Sequence, residues 1–293
     1  PEYGGDDTIT VGNGNNHILA GMGADTITTA DGTDVILGDN GTITYAGSVG
    51  SLKLSQAVAT LLSQGAIDTI NAGAGTKHII GGFGADTITG GAGDHVVIGD
   101  NGQVDYDSDG AVKVVTTTDT VDHPEYGGAD TITVGDGNNV ILGGMGADAI
   151  TTATGTDVVL GDNGTVAYAG AVGSLKLSLI VSTVPSRGGN DVISTGNGTK
   201  HIIGGYGSDT VTALVGNHNV IGDNGQIDYD TDGAVKVLQT TDTEVDSAFG
   251  DADTINVGNG NNHILAGMGG DTVTTATGTD VVLGDNGTVA YAG

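Results

Sequence analysis

The stretch GMGADTITTADGTDVILGDNG, residues 21–41, sets three aspartates beside glycines. Asp25 and Asp34 lie nine residues apart, and each is followed two residues later by isoleucine, Ile27 and Ile36. Asp39 arrives early, after only five residues. Extended outward, the nine-residue beat runs for four turns from Asp7 to Ile36, and DTITVGNGNN at 7–16 returns as DTITVGDGNN at 130–139 and DTINVGNGNN at 253–262. Asp7, Asp130 and Asp253 are thus 123 residues apart, and weaker copies start at Asp68 and Asp191. The array alternates two related modules of about 61 residues, A-B-A-B-A. We divide it into a first tandem unit (1–123), a second (124–246) and a partial third (247–293).

With the acidic place taken as position six, position eight is Ile or Val in all twenty beats. Position four is Gly in eighteen of them, Ala66 and Asp251 being the exceptions. One deeply apolar place in nine fits neither an amphipathic helix nor an open hairpin sheet. It predicts an all-β parallel solenoid, or β-roll: each beat is a short strand and a tight turn, and two beats make a coil. Coils then stack at about 4.8 Å, with ladders of Ile and Val as the core. After each GDNG comes a strand-like segment ending in Tyr (GTITY 41–45, GQVDY 102–106, GTVAY 164–168, GQIDY 225–229), a turn phrase and a second alternating strand. These predict β-hairpin inserts of about twenty residues between blocks of coil. The chain starts and ends inside recurring phrases, PEYGG and GDNGTVAYAG, and is expected to be an excerpt of a longer array.

Composition narrows the partners. The 293 residues include 56 Gly, no Cys, no Trp and two Phe, and the formal charge is −29 with seven Lys plus Arg. Such a chain repels nucleic acid and anionic membranes and attracts cations. Lack of cysteine excludes disulfides and thiolate metal sites, which fits a secreted protein stabilised by something else. No apolar run approaches the roughly eighteen residues of a membrane-spanning helix.

The beat G-x-G-x-D-x-[IV]-x, as in GMGADTIT (21–28), GFGADTIT (82–89) and GYGSDTVT (205–212), resembles the nonapeptide calcium repeats of the repeats-in-toxin (RTX) family. The resemblance implies Ca²⁺ bound in a parallel β-roll, and covers the four-beat blocks but not the hairpins. The residues make the same case independently. Alternate beats share an edge, and on one edge position six is always Asp: Asp7 with Asp25, Asp68 with Asp86, Asp130 with Asp148, Asp191 with Asp209, Asp253 with Asp271. Two bare carboxylates stacked at strand spacing repel by roughly 1–3 kcal/mol, so a cation between them is expected. Ca²⁺ accepts six to eight oxygens in flexible geometry, which Gly-rich turns can complete with carbonyls; Mg²⁺ suits this less well.

The opposite edge differs. In A modules it reads Asn16 then Asp34, Asn139 then Asp157, and Asn262 then Asp280, a weaker expected calcium set. In B modules it reads Lys77 then His95, and Lys200 then His218, which departs from the family pattern. Either the lysine ammonium replaces the missing ion by bonding turn carbonyls, or it is a solvated residue on a degenerate turn. Asp39, Asp100, Asp162, Asp223 and Asp285, in the GDNG phrases, either cap the last site on the all-aspartate edge or open the hairpin as ordinary turn residues. His17, His78, His201 and His263, at position seven, are expected at the surface, since no second His or Cys stands at zinc-ligand spacing. The tyrosines ending the GDNG segments are expected to pack hairpin on coil.

These readings favour a calcium-stiffened stalk, fibre or adhesin shaft of a secreted or cell-surface bacterial protein. Its expected partners are calcium and neighbouring tandem modules, with lateral or end-to-end association. No catalytic motif stands outside the repeat register, so an enzyme is not expected. Two alternatives remain. One is the calcium-binding tail of a secreted toxin or protease. The other is ice or surface binding through Thr-x-Thr pairs (Thr8/Thr10, Thr26/Thr28, Thr87/Thr89, Thr131/Thr133, Thr210/Thr212, Thr272/Thr274), although that ladder is expected to break at Thr69/Asn71, at Ala149 and at every hairpin.

Overall fold

The computed structural model of the chain describes residues 4–119, 123–242 and 250–291. The expected unit boundary at 246/247 and residues 292–293 lie outside these. Among the described residues the only helical element is a 3₁₀ turn, Pro124–Tyr126, and no helix is long and apolar enough to cross a membrane. Everything else regular is strand.

Two ten-stranded parallel sheets form the solenoid. Strands such as Thr8–Val11, Thr26–Thr29, Thr69–Ala72 and Thr87–Gly90 build the first; His17–Leu19, Asp34–Leu37, Lys77–Ile80 and Val96–Ile98 begin the second. Position eight points between them. Ile27, Ile36, Ile70, Ile79, Ile88 and Val97 are fully buried, and their ladder continues to Ile255 and Ile264. Val282, on the last strand of the second sheet, is 45% exposed. Tight turns at both edges depend on glycine: Gly32 has φ +148°, and a Cβ there would lie 1.7 Å from the Gly14 carbonyl oxygen of the coil below.

The hairpins do not interrupt the solenoid. Thr26 pairs with Thr69 and Ile27 with Ile70 across the first insert, in the same register as pairs within a block. Each hairpin instead joins its neighbours, Val104 opposite Ala57, Val115 opposite Val166, Ile180 opposite Ile227 and Leu238 opposite Val289. The result is one nine-stranded antiparallel sheet laid along the second parallel sheet. This third layer was not expected. It creates a second core, in which Val35, Leu37, Ile80, Val96, Ile98 and Leu142 meet Ala57, Val104, Val115, Val166 and Ile180. The second sheet is therefore apolar on both faces, as parallel strands covered on both sides usually are.

Two sequence expectations are corrected by this layer. Position seven of the second sheet faces the hairpins, so His78 and His201 are buried rather than at the surface, while His17 is exposed and His263 half-buried. A tyrosine stands in the first strand of four hairpins, just past a register shift, and Tyr45, Tyr106, Tyr229 and Tyr291 meet His17, His78, His201 and His263. The Tyr106 hydroxyl and His78 Nδ1 share a hydrogen bond at 2.7 Å, and Tyr45 and Tyr291 bond His17 Nδ1 and His263 Nε2. Burial, reinforced by His95, pulls His78 down to about 4, so its ring is neutral near pH 7. Second, the Thr-x-Thr ladder does not break at the hairpins, because they leave from the other sheet. Its substitutions are Asn71, Ala149, Val192, Ser194 and Asn256.

Candidate metal edge

The chain passes from the second sheet to the first along the all-aspartate edge. Here one carboxylate per coil points along the stack. Asp25 Oδ1 accepts the Asp7 N–H at 2.7 Å, Asp68 Oδ1 accepts that of Asp25 at 2.7 Å, and Asp86 Oδ1 that of Asp68 at 2.7 Å. The same bond recurs through Asp130, Asp148, Asp191, Asp209, Asp253 and Asp271. This uses one oxygen of each carboxylate and fixes its rotamer.

The second oxygen is left over. The Oδ2 atoms of Asp25, Asp68, Asp86, Asp130, Asp148, Asp191, Asp209, Asp253 and Asp271 are buried and have no hydrogen-bond partner. Each free oxygen that lies inside the stack faces a glycine and a carbonyl of the neighbouring turn. A Cβ on Gly81 would lie 2.4 Å from Asp86 Oδ2 and 2.1 Å from the Gly99 carbonyl oxygen. A Cβ on Gly143 would lie 2.3 Å from Asp148 Oδ2 and 2.1 Å from the Gly161 oxygen, and Gly99, Gly161, Gly204 and Gly222 repeat the arrangement. Buried, acceptor-only and unpaired, these groups carry the cost of desolvated charge with nothing to offset it. Desolvation accordingly pushes Asp68, Asp191 and Asp253 up to about 7, and raises Asp86, Asp130, Asp148 and Asp209 well above the usual carboxylate range. The donor set is all oxygen, carboxylates plus carbonyls, and suits a hard cation. Among the described residues no three acidic or histidine side chains close on one point, so a cation held on this edge would take further oxygens from carbonyls and water.

Of the GDNG aspartates, Asp39, Asp100, Asp162 and Asp223 lie buried on this same edge. Asp39 Oδ2 accepts the Phe83 N–H at 2.5 Å, and Asp162 Oδ1 that of Gly189 at 2.9 Å. Desolvation, with charge from Asp68 and Asp25, pushes Asp39 up to about 8; desolvation, with Asp253, pushes Asp223 up to about 9. These four aspartates thus stand where the chain turns into the hairpin and lie buried on the acidic edge. Asp285, on the last coil, is exposed.

The opposite edge is chemically closed. Lys77 Nζ donates to Asp34 Oδ2 at 2.6 Å and to the Ala30 carbonyl at 2.8 Å, with both side chains of the ion pair fully buried. Lys200 repeats this with Asp157 Oδ2 at 2.5 Å and the carbonyls of Ala153 and Gly155. The other oxygens, Asp34 Oδ1 and Asp157 Oδ1, accept the amides of Asn16 and Asn139 at 2.8 and 2.9 Å. Burial opposes charge on Asp34, but the bonds from Lys77 and Asn16 prevail and hold it below its usual range. His95 and His218 donate Nε2–H to the carbonyls of Gly91 (2.7 Å) and Leu214 (3.0 Å). At Asn16/Asp34 and Asn139/Asp157, where the sequence reading expects a weaker calcium set, the next coil delivers a lysine ammonium to the free carboxylate oxygen. Asn262 Nδ2 donates to Asp280 Oδ1 at 2.9 Å and to the carbonyls of Gly258 and Gly260 at 3.5 and 3.4 Å.

A scan against protein families matched the RTX calcium-binding nonapeptide repeat (4 copies) over residues 3–41, 73–103, 126–159, 187–217 and 247–287, more than half of the chain. Searches of curated proteins and of solved structures returned no match.

Proposed function

The chain belongs to the RTX calcium-binding nonapeptide-repeat family, and from that premise we propose that it is a calcium-stiffened shaft segment of an extracellular bacterial protein. Calcium is its cofactor, as for the family's repeats. On this reading the ions sit along the all-aspartate edge, between Asp7, Asp25, Asp68, Asp86, Asp130, Asp148, Asp191, Asp209, Asp253 and Asp271.

The observation that carries it is the run of nine unpartnered, buried Oδ2 atoms. It crosses every hairpin and every module boundary without change, as a spacer requires and a catalytic site does not. Bound Ca²⁺ supplies the positive charge these oxygens lack. The aspartates otherwise repel one another, so the metal-free chain is extended and exportable, and at millimolar external calcium the coils close. Stability then adds coil by coil through nearest-neighbour terms. The chain is not an enzyme on this reading; modules associate end to end or laterally. Circular dichroism tests it. Strand signal and melting temperature should rise as Ca²⁺ is titrated in and fall on chelation; identical spectra and melting with and without calcium would refute the proposal.

A second reading is favoured by one observation. The outward face of the first sheet stays uncovered and in register over ten strands, with Thr at most of its outward places. Such a face suits an ordered surface such as ice, although β-propensity alone also selects Thr there. An ice-recrystallisation assay at saturating calcium decides it: unaltered crystal growth removes this reading.

A further inference from the structure

The junctions of the array are not equivalent. Where the chain leaves an A module, Asp39 and Asp162 face the glycines that return it to the solenoid: a Cβ on Gly65 or Gly188 would lie 1.9 Å from their carboxylate oxygens. Where it leaves a B module, the returning segment brings in another carboxylate. Asp119 is 5% exposed. Its Oδ1 accepts the Asn101 amide at 3.0 Å, and its Oδ2 is buried with no partner.

Three acidic groups thereby flank three consecutive residues, 99–101. A Cβ on Gly99 would lie 2.0 Å from Asp130 Oδ2, itself buried and unpartnered. Asp100 comes next, its oxygens accepting the N–H groups of Gly128 (2.8 Å) and Met145. Asn101 then holds Asp119. Among the described residues no lysine or arginine pairs with any of them, since the buried Lys77 and Lys200 are engaged with Asp34 and Asp157 on the far edge. A related contact stands 123 residues on, where the Asn224 backbone N–H donates to Asp242 Oδ2 at 3.1 Å and Asp242 adds charge beside Asp223. Asp119 lies between the matched repeat blocks, which end at 103 and resume at 126.

The geometry points to a further cation site at each B-to-A junction, which the nine-residue beat does not encode: a hard divalent cation, calcium, held between the carboxylates of Asp100 and Asp119, and between Asp223 and Asp242. It deepens the calcium reading above and rests on it. Backbone carbonyls and water complete the shell. The site joins the hairpin layer to the coil edge, so filling it couples the third sheet to the solenoid at every second junction.

Calcium counting by native mass spectrometry of the whole chain at saturating Ca²⁺ tests it. Asp119→Asn with Asp242→Asn should bind two fewer ions than the unaltered chain; an unchanged count and affinity overturns the junction site. Loss of ions in Asp86→Ala with none lost in the double Asn variant keeps the repeat sites and removes this one, whereas a chain that binds no calcium removes both. Crystals of the unaltered chain soaked with Tb³⁺ give an answer that needs no variant. Anomalous density between Asp100 and Asp119 supports the site, and density confined to the all-aspartate ladder overturns it.

Discussion

Lys77 Nζ lies 2.6 Å from Asp34 Oδ2, and neither side chain touches water. The pair belongs to two coils that are adjacent in space and 43 residues apart in the chain. A B module thus supplies the positive charge that an A module's carboxylate needs, without metal. The two edges of one solenoid therefore differ: one is neutralised by side chains, and the other keeps a row of bare carboxylate oxygens.

Lys77→Met should therefore destabilise the calcium-loaded chain by about 3–5 kcal/mol, the cost of stranding a buried charge. Calcium stoichiometry should not change. Adding Asp34→Asn to the same variant should recover much of the loss. Denaturant unfolding in millimolar Ca²⁺, with an ion count alongside, measures all three; a fall in stoichiometry with Lys77→Met would move a metal site to this edge.

Asp25→Ala combined with Asp86→Ala should lower both the number of bound ions and the melting temperature in calcium. In chelator the same substitutions should raise stability or leave it unchanged, because they remove unpaired buried charge. Calorimetric titration and thermal scans, each in the two conditions, show whether the sign reverses.

Acid should act oppositely on the two states. In the metal-free fold Asp39, Asp68, Asp191, Asp223 and Asp253 stand at about 7 to 9, above the 3.8 of the unfolded chain. The folded state then binds more protons, so its stability is greatest below about pH 4 and is lost as pH rises through 7 to 9. His78 and His201, pulled down to about 4 from 6.5, oppose this between those values, but they are two groups against many. With calcium bound the carboxylates must stay ionised, and acid releases the ion. Melting temperatures against pH, with and without Ca²⁺, should cross.

Gly81→Ala should cost about 1–3 kcal/mol, as overpacking does, and weaken calcium binding locally. The added methyl falls 2.4 Å from Asp86 Oδ2 and 2.1 Å from the Gly99 oxygen, in the space where the ion's donors face each other. Gly12→Ala, at a turn with nothing within 4 Å, is the control and should leave affinity unchanged.

Tyr106→Phe should cost about 1–3 kcal/mol by stranding buried His78 Nδ1. Tyr229→Phe, one unit later, should be neutral or stabilising, because the buried Tyr229 hydroxyl has no partner. Equal losses in unfolding experiments would contradict the difference between these two sites.

The solenoid and its acidic edge were legible in the residues themselves. A nine-residue period with Ile or Val at one place and Asp two before it sets strand, turn and edge through nearest-neighbour stacking, so local spacing is enough. The third sheet was not, although its trace is present: second-sheet strands read VIL, HII and VVI where first-sheet strands read TIT. That contrast marks a strand covered on both faces, but not what covers it. Pairing of Val104 with Ala57, the lysine meeting Asp34, and Asp119 beside Asp100 join residues many positions apart, and depend on how many coils separate two excursions of the chain. The repeat decided which groups line each edge; only the stacked structure decided which carboxylates meet an ammonium and which are left with a bare oxygen.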